Sequence, residues 1–388
     1  MKHRIISFLT SPYIICLFSF ALGVGLRYIL KAPVVDDPEP ESYMDWDGGV
    51  YYGDIQNGVP NGEGRLEREG MTYAGTWNEG VLSFAKIESS KYIYDGDVAN
   101  YKFSGYGVCK YKDGHSYWGY WKDDFKSGLG KLKGSDGHIT FTFYKEGYAQ
   151  VPEDQSFNVG ETVYGIDVSN HQGVMNWQDV YICCNKYGRT TGKMDNPVKY
   201  IQPVLFTYIK ATEGATYNDP MYEFNMSEAQ KCGIHAGAYH FLTMTSSAKD
   251  QAENFVNHVM LSEGNLPPVL DLEKNNSRRP VTDEEFAQII PIAKEWLSIV
   301  ENEYNTPPII YTNMHVYEKF IKNDQMLSKY PLWLALPGNK QPEVTNCIMW
   351  QFTHHGKING IGSEYVDINM FNGNYEALQN LLIKNREK

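Results

Sequence analysis

The run Val269-Leu270-Asp271-Leu272-Glu273 follows Pro267-Pro268 and ends in two carboxylates one residue apart. Side chains alternate faces along a strand, so Asp271 and Glu273 share a face, with Cβ atoms about 6–7 Å apart. Two like charges on one face drive their pKa values apart, so one keeps its proton while the other stays ionised. Cleaving a glycosidic bond needs that pairing: a proton donor for the leaving oxygen and an anion beside the sugar cation. Taken alone, D-x-E is a weak signal, since most such pairs are solvated strand ends, so the surroundings decide.

The surroundings read as a barrel. After Val163, apolar strands alternate with amphipathic stretches. Eight strands are expected, at Tyr164–Val168, Val204–Lys210, His235–Leu242, Pro268–Glu273, Pro308–Thr312, Leu332–Leu336, Ile348–Phe352 and Tyr365–Met370. Helices are expected at Met221–Cys232, Ala248–Leu261, Asp283–Tyr304 and Val316–Met326. Thr282 with Glu285 forms a capping-box signal for the third helix, and Pro291 predicts a kink in it. The alternation predicts an α/β class, an irregular TIM-like barrel of five β-α units followed by three strands. Carboxylates at strand C-termini then face the catalytic mouth, and Asp167, Asp271, Glu273 and Asp367 end or lie within such strands.

The ordered motifs are specific. Gly165-Ile166-Asp167-Val168-Ser169-Asn170-His171-Gln172-Gly173 opens the region, and Phe206-Thr207-Tyr208-Ile209-Lys210-Ala211-Thr212-Glu213-Gly214 follows. Gly237-Ala238-Tyr239-His240-Phe241, the VLDLE run, Trp350-Gln351-Phe352 and Val366-Asp367-Ile368-Asn369 complete the series. Over residues 163–374 this closely resembles glycoside hydrolase family 25, the Chalaropsis-type lysozymes. The resemblance implies cleavage of the β-1,4 bond between N-acetylmuramic acid and N-acetylglucosamine in peptidoglycan. It assigns Glu273 as general acid and Asp271 to the substrate's acetamido group as an oxazolinium-like intermediate forms. The same resemblance implies that Asp167 and Asp367 tune charge and bind sugar. A mechanism with two protein carboxylates, retaining or inverting, is not excluded by spacing. Trp333-Leu334-Ala335-Leu336-Pro337-Gly338 departs from the family, which usually carries an aromatic soon after Trp-x-Ala.

Other candidates have two readings. Lys210 and Glu213 either contact substrate or form a bridge that fixes a loop. Tyr239, Trp333 and Trp350 either stack on sugar faces or fill the barrel. Tyr311 and Gln351 complete the expected substrate-binding set. His240, among apolar neighbours, reads as a hydrogen-bonded core histidine. His354 and His355 have no metal spacing with Asp367 and read as structural or solvated. No metal or cofactor is expected.

Ahead of the barrel the chain repeats itself. Tyr-x-Gly recurs at Tyr51/Gly53, Tyr73/Gly75, Tyr94/Gly96 and Tyr117/Gly119, with Trp77 and Trp121 at equal offset. Gly-x-Gly closes three units at Gly62/Gly64, Gly105/Gly107 and Gly128/Gly130, and the second unit loses the pattern after Gly80. A period of about twenty residues means stacked units, here one β-hairpin each, with the aromatics as stacking core. A partial fifth unit is expected from Phe141 to Gly147. The array resembles MORN (membrane occupation and recognition nexus) repeats, which implies a lipid or protein partner; a spacer role fits equally.

The chain's 388 residues and net charge of −12 argue for more than one domain and against nucleic acid as a partner. Its six cysteines form no CxxC pair and read as free, buried thiols. The uncharged run Ile5–Leu26, behind Lys2 and Arg4, is long enough to span a bilayer and longer than most signal-peptide cores. The expected organisation is a membrane anchor or cleaved signal at 1–31, a linker at 32–48, hairpin repeats at 49–150 and the barrel at 160–388. The catalytic domain is then expected outside the cytoplasm, at the cell envelope. Two alternatives differ in class: a barrel that grips peptidoglycan without cutting it, and a module whose function lies in the repeats.

Overall fold

The computed structural model describes residues 42–190, 199–274, 279–338, 340–363 and 366–384. Within them, residues 43–149 form one antiparallel meander from Tyr43–Trp46 to Tyr148–Ala149, each strand of its main path bonded to the next. The repeat explains its core. Tyr51, Tyr94 and Tyr117 are fully buried, and thirteen positions after each stands a glycine. A Cβ on Gly64, Gly107 or Gly130 would lie 2.1, 2.3 or 2.3 Å from the matching tyrosine side chain. Glycine is therefore required where each ring lies flat across the next strand. Trp77 and Trp121 donate to the carbonyls of Gly64 and Gly107, each at 3.3 Å. The unit of Tyr73 has exposed Lys86 at the glycine position, and its strand breaks at Ser83. The expected fifth unit is present as strands Ile139–Lys145 and Tyr148–Ala149, with Tyr144 edge-on to Tyr117.

The barrel closes with eight strands: β1 (Tyr164–Val168), β2 (Phe206–Glu213), β3 (His235–Phe241), β4 (Val269–Asp271), β5 (Ile309–Asn313), β6 (Leu332–Ala335), β7 (Cys347–Thr353) and β8 (Asp367–Phe371). The first seven run parallel; β8 is antiparallel to both β7 and β1. Helices α1 (Tyr222–Lys231), α2 (Ala248–His258), α3 (Asp283–Phe286), α4 (Ile289–Tyr304) and α5 (Met314–Val316, continued by a π turn at Tyr317–Ile321) lie between β2 and β6. Among the described residues the first connection carries short 3₁₀ turns and two strands of a side sheet, completed by Ile358–Asn359 from between β7 and β8, instead of an α-helix, so five β-α units are not seen. Pro291 does not kink a continuous helix. The chain turns at Ala287 and Gln288, and the proline falls in the first turn of α4, where its missing N–H leaves no helical bond unmade. The Thr282–Glu285 capping box forms at the start of α3.

The array packs on the barrel's floor, at the N-terminal ends of the parallel strands. Phe141 meets Tyr375 edge-on at 5.3 Å, Tyr120 hydrogen-bonds Cys232, and Lys131 Nζ lies 3.4 Å from the Tyr375 hydroxyl. The mouth is left open on the opposite side. Among the described residues no helix is long and apolar enough to cross a membrane, and the run Ile5–Leu26 lies outside them. Cys109, Cys183, Cys184, Cys232 and Cys347 are free thiols.

Candidate active site

Alternation along each strand sends Asp167, Lys210, Tyr239, Asp271, Tyr311, Gln351 and Asn369 to the barrel's interior face. Asp167 on β1 pairs directly with Asp367 on β8, so their side chains share that face. Burial and the charge of Asp367 push the Asp167 carboxyl well above its ordinary range. Two amides oppose this: Gln351 Nε2 and Asn369 Nδ2 donate to Asp167 Oδ1 at 3.0 and 2.7 Å. Each amide is itself oriented. Tyr311 donates its hydroxyl to Gln351 Oε1 at 2.8 Å, and Trp333 Nε1 donates to Asn369 Oδ1 at 2.9 Å.

Asp271 lies across from this network, between Phe241 on β3 and Tyr311 on β5. It is 8 % exposed, and its Oδ1 is buried with no hydrogen-bond partner among the described residues. A buried acceptor left unmade is costly, and one at a barrel mouth awaits a donor. Burial, then the charge of Glu273, push Asp271 well up; Lys210 pulls it down. Burial likewise raises Glu273, with His354 opposing and Asp367 adding to the rise. Burial thus holds both carboxyls above their ordinary range.

Lys210 forms a 2.6 Å pair with Glu213 and lies over the rings of Phe241 and Tyr217 at 5.2 and 5.5 Å. Its charge acts on both Asp271 and Glu273, so the pair belongs to the mouth as well as to a loop. Tyr239 is half-buried, its phenol raised by burial and by the charges of Asp167, Asp271 and Asp367. Of the two readings for Trp333 and Trp350, their burial favours packing. Trp333 is 2 % exposed and fills the interior below the mouth, edge-on to Tyr311. Trp350 alternates with Gln351, turns to the outer face, and donates to the Leu336 carbonyl at 2.8 Å. His240 is a core histidine as expected, buried between Thr212, Gln251 and the Trp296 ring, its pKa lowered to about 3 by burial.

Two residues escaped the sequence reading. Asn369 stands two positions after Asp367, hence on the same strand face, and that spacing was the available signal. His354 was set aside as structural or solvated. Its Nδ1 lies 2.7 Å from Asp367 Oδ1, a contact that raises the imidazole's pKa, and its protonated form lowers that of Glu273.

The sequence profile of glycosyl hydrolases family 25 matches residues 166–361, and that of the MORN repeat matches 51–69, 94–116 and 117–139, passing over the unit of Tyr73. Uncharacterized protein YegX of Escherichia coli strain K12 is 32% identical over 221 residues, 56% of this chain and 72% of that protein. Lysozyme M1 of Streptomyces globisporus is 30% identical over 252 residues, 61% of this chain and 78% of that protein. Among solved structures, the bacterial lysozyme from Streptomyces coelicolor shares 29% identity over 57% of this chain and 96% of its own, with a TM-score of 0.45. With half of its length matched, and with MORN repeats ahead of the barrel, the chain belongs to glycosyl hydrolases family 25 and is a glycoside hydrolase.

Proposed function

We propose that the protein is a peptidoglycan hydrolase, an N-acetylmuramidase that cleaves the β-1,4 bond between N-acetylmuramic acid and N-acetylglucosamine with help from the substrate's own acetamido group. The observation that carries the mechanism is the unpartnered, buried Oδ1 of Asp271. A 2-acetamido N–H supplies the missing donor. That contact turns the acetamido carbonyl oxygen toward the anomeric carbon, where it forms the new C–O bond as the glycosidic C–O bond breaks. Glu273 gives its proton to the leaving oxygen, then takes one from the water that opens the oxazolinium ring. Burial suits Glu273 to this work by holding the proton to higher pH.

Asp167, held by Gln351 and Asn369, and Asp367, held by His354, face the sugar from the opposite wall and orient it. Lys210, Glu213, Tyr239 and Tyr311 line the way in. In this reading residues 49–150 form the carrier and 160–388 the working domain. The barrel works outside the cytoplasm, where peptidoglycan lies, with Ile5–Leu26 as its anchor and the floor-bound array turned away from the wall.

A thiazoline mimic of the oxazolinium tests the mechanism. It is expected to inhibit the wild type competitively and to bind Asp271→Asn much more weakly. A covalent glycosyl–enzyme trapped on Asp271 or Glu273 would replace the acetamido group with a protein nucleophile.

A further inference from the structure

The array holds a cavity of about 300 Å³ beside its interrupted unit. Tyr73, Tyr92, Tyr101, Phe103 and Trp121 wall it, and Asp124 is its one charged lining residue. The rings cross instead of stacking flat: Tyr73 on Tyr101 at 5.5 Å, Tyr92 on Phe103 at 5.5 Å and Phe103 on Trp121 at 5.1 Å. Edge-on contacts of this kind keep a cage open. A cavity of about 150 Å³ suffices for benzene, so this one has room for a small organic ion. Its place in the chain is telling. The unit of Tyr73 has lost the glycine that seats the neighbouring rings, and space opens there.

In the next unit a neighbouring set of rings holds a cation. Lys126 Nζ lies 4.6, 5.4 and 6.0 Å from the ring centres of Tyr117, Tyr144 and Tyr111. Nine positions after Tyr117 the repeat thus supplies its own cation; nine positions after Tyr94 it supplies Phe103, stacked on Tyr94 at 3.7 Å. No lysine or arginine is among the cavity's lining residues; Lys126 stands 6.0 Å from Tyr111, the one ring common to both places. Arg68, whose guanidinium lies 5.4 Å from the Tyr101 ring, is paired with Asp47 at 3.2 Å. The carboxylate is fixed, because Asp124 Oδ1 accepts the Phe103 backbone N–H at 2.8 Å.

We infer that this cavity is a binding site for a quaternary ammonium ligand of the choline type, its trimethylammonium group among the rings and its charge facing Asp124. Ring faces attract a cation through their quadrupole. A primary ammonium would give up hydrogen bonds to water on entering such a site; a trimethylammonium group has none to give up. The site is independent of the barrel's chemistry and faces none of its catalytic groups.

Calorimetric titration of the full chain with choline tests this, beside tetramethylammonium and the uncharged isostere 3,3-dimethylbutanol. Both cations are expected to saturate the site, with the isostere about tenfold weaker or worse. Asp124→Asn keeps the oxygen that accepts from Phe103, so the fold should hold by circular dichroism while choline binds about tenfold more weakly. Phosphatidylcholine vesicles, against phosphatidylglycerol vesicles, separate the sources. Co-sedimentation that choline competes away assigns a bilayer headgroup; choline binding without it assigns a soluble ester. Isostere binding equal to choline, an Asp124→Asn affinity equal to wild type, or no saturable choline binding overturns the site.

Discussion

The array and the barrel are both built from strands, yet they spend their side chains differently. In the array a single arrangement is copied: a buried tyrosine, a glycine thirteen positions on, and a tryptophan donating to a glycine carbonyl. Every partner is close in sequence, and losing one copy leaves the neighbours intact, as the unit of Tyr73 demonstrates. The barrel's mouth has one copy of everything. Asp167 is held by amides 184 and 202 positions away, so its geometry exists only once the barrel has closed. Redundant, local packing supports; unique, long-range packing of charges does chemistry at the expense of stability. The two regions should therefore fail in opposite ways when altered.

The largest effect is expected at Glu273. Glu273→Gln should lower turnover by about 10²–10⁴-fold while wall fragments still bind and the melting temperature holds or rises. Near-normal turnover would take the proton-donor role from this residue. Asp271→Asn should cost about 10²–10³-fold in kcat, again without loss of stability, because Asp271 Oδ1 has no hydrogen-bond partner among the described residues to lose. The array should show the reverse. Gly107→Ala sets a Cβ 2.3 Å from the Tyr94 hydroxyl and should destabilise the array by about 1–3 kcal/mol, read by thermal unfolding, with hydrolysis of soluble glycan fragments unchanged. A fall in that hydrolysis matching the loss of stability would mean the two regions are one cooperative unit.

The smallest effect is in pH dependence. Glu273 must be protonated to act, so activity should fall as pH rises through its raised pKa. The charge on His354 lowers that pKa, and removing it lets the pKa rise further. His354→Gln should therefore move the alkaline limb of the kcat profile upward. A limb that stays in place would leave His354 a structural partner of Asp367 and nothing more.

Much of this was legible in the sequence because periodicity and strand ends speak directly. An apolar run stopped by a carboxylate located Asp167 and Asp271 at the mouth, Asp367 reaches it at the start of the antiparallel β8, and β1 has the bounds expected of it. The Tyr and Gly spacing announced a stacked array, though only coordinates reveal that thirteen positions is the distance from a ring to the glycine beneath it. Side-chain facing was harder. Trp333 and Trp350 lie in similar apolar runs, and nothing in composition says that one fills the interior below the mouth while the other turns outward. The His354–Asp367 contact depends on how the loop after β7 folds back, which short-range pattern does not encode. The division of α3 from α4 came from a turn ahead of Pro291, where a proline signals a break without fixing which side it falls on.

The central claim is a position of cleavage, and product ends read it directly. Purified peptidoglycan digested with the wild type, reduced with borohydride and analysed by mass spectrometry should yield new reducing ends of N-acetylmuramic acid, and none with Glu273→Gln. New ends of N-acetylglucosamine, or release of peptide without any new glycan end, would contradict the account.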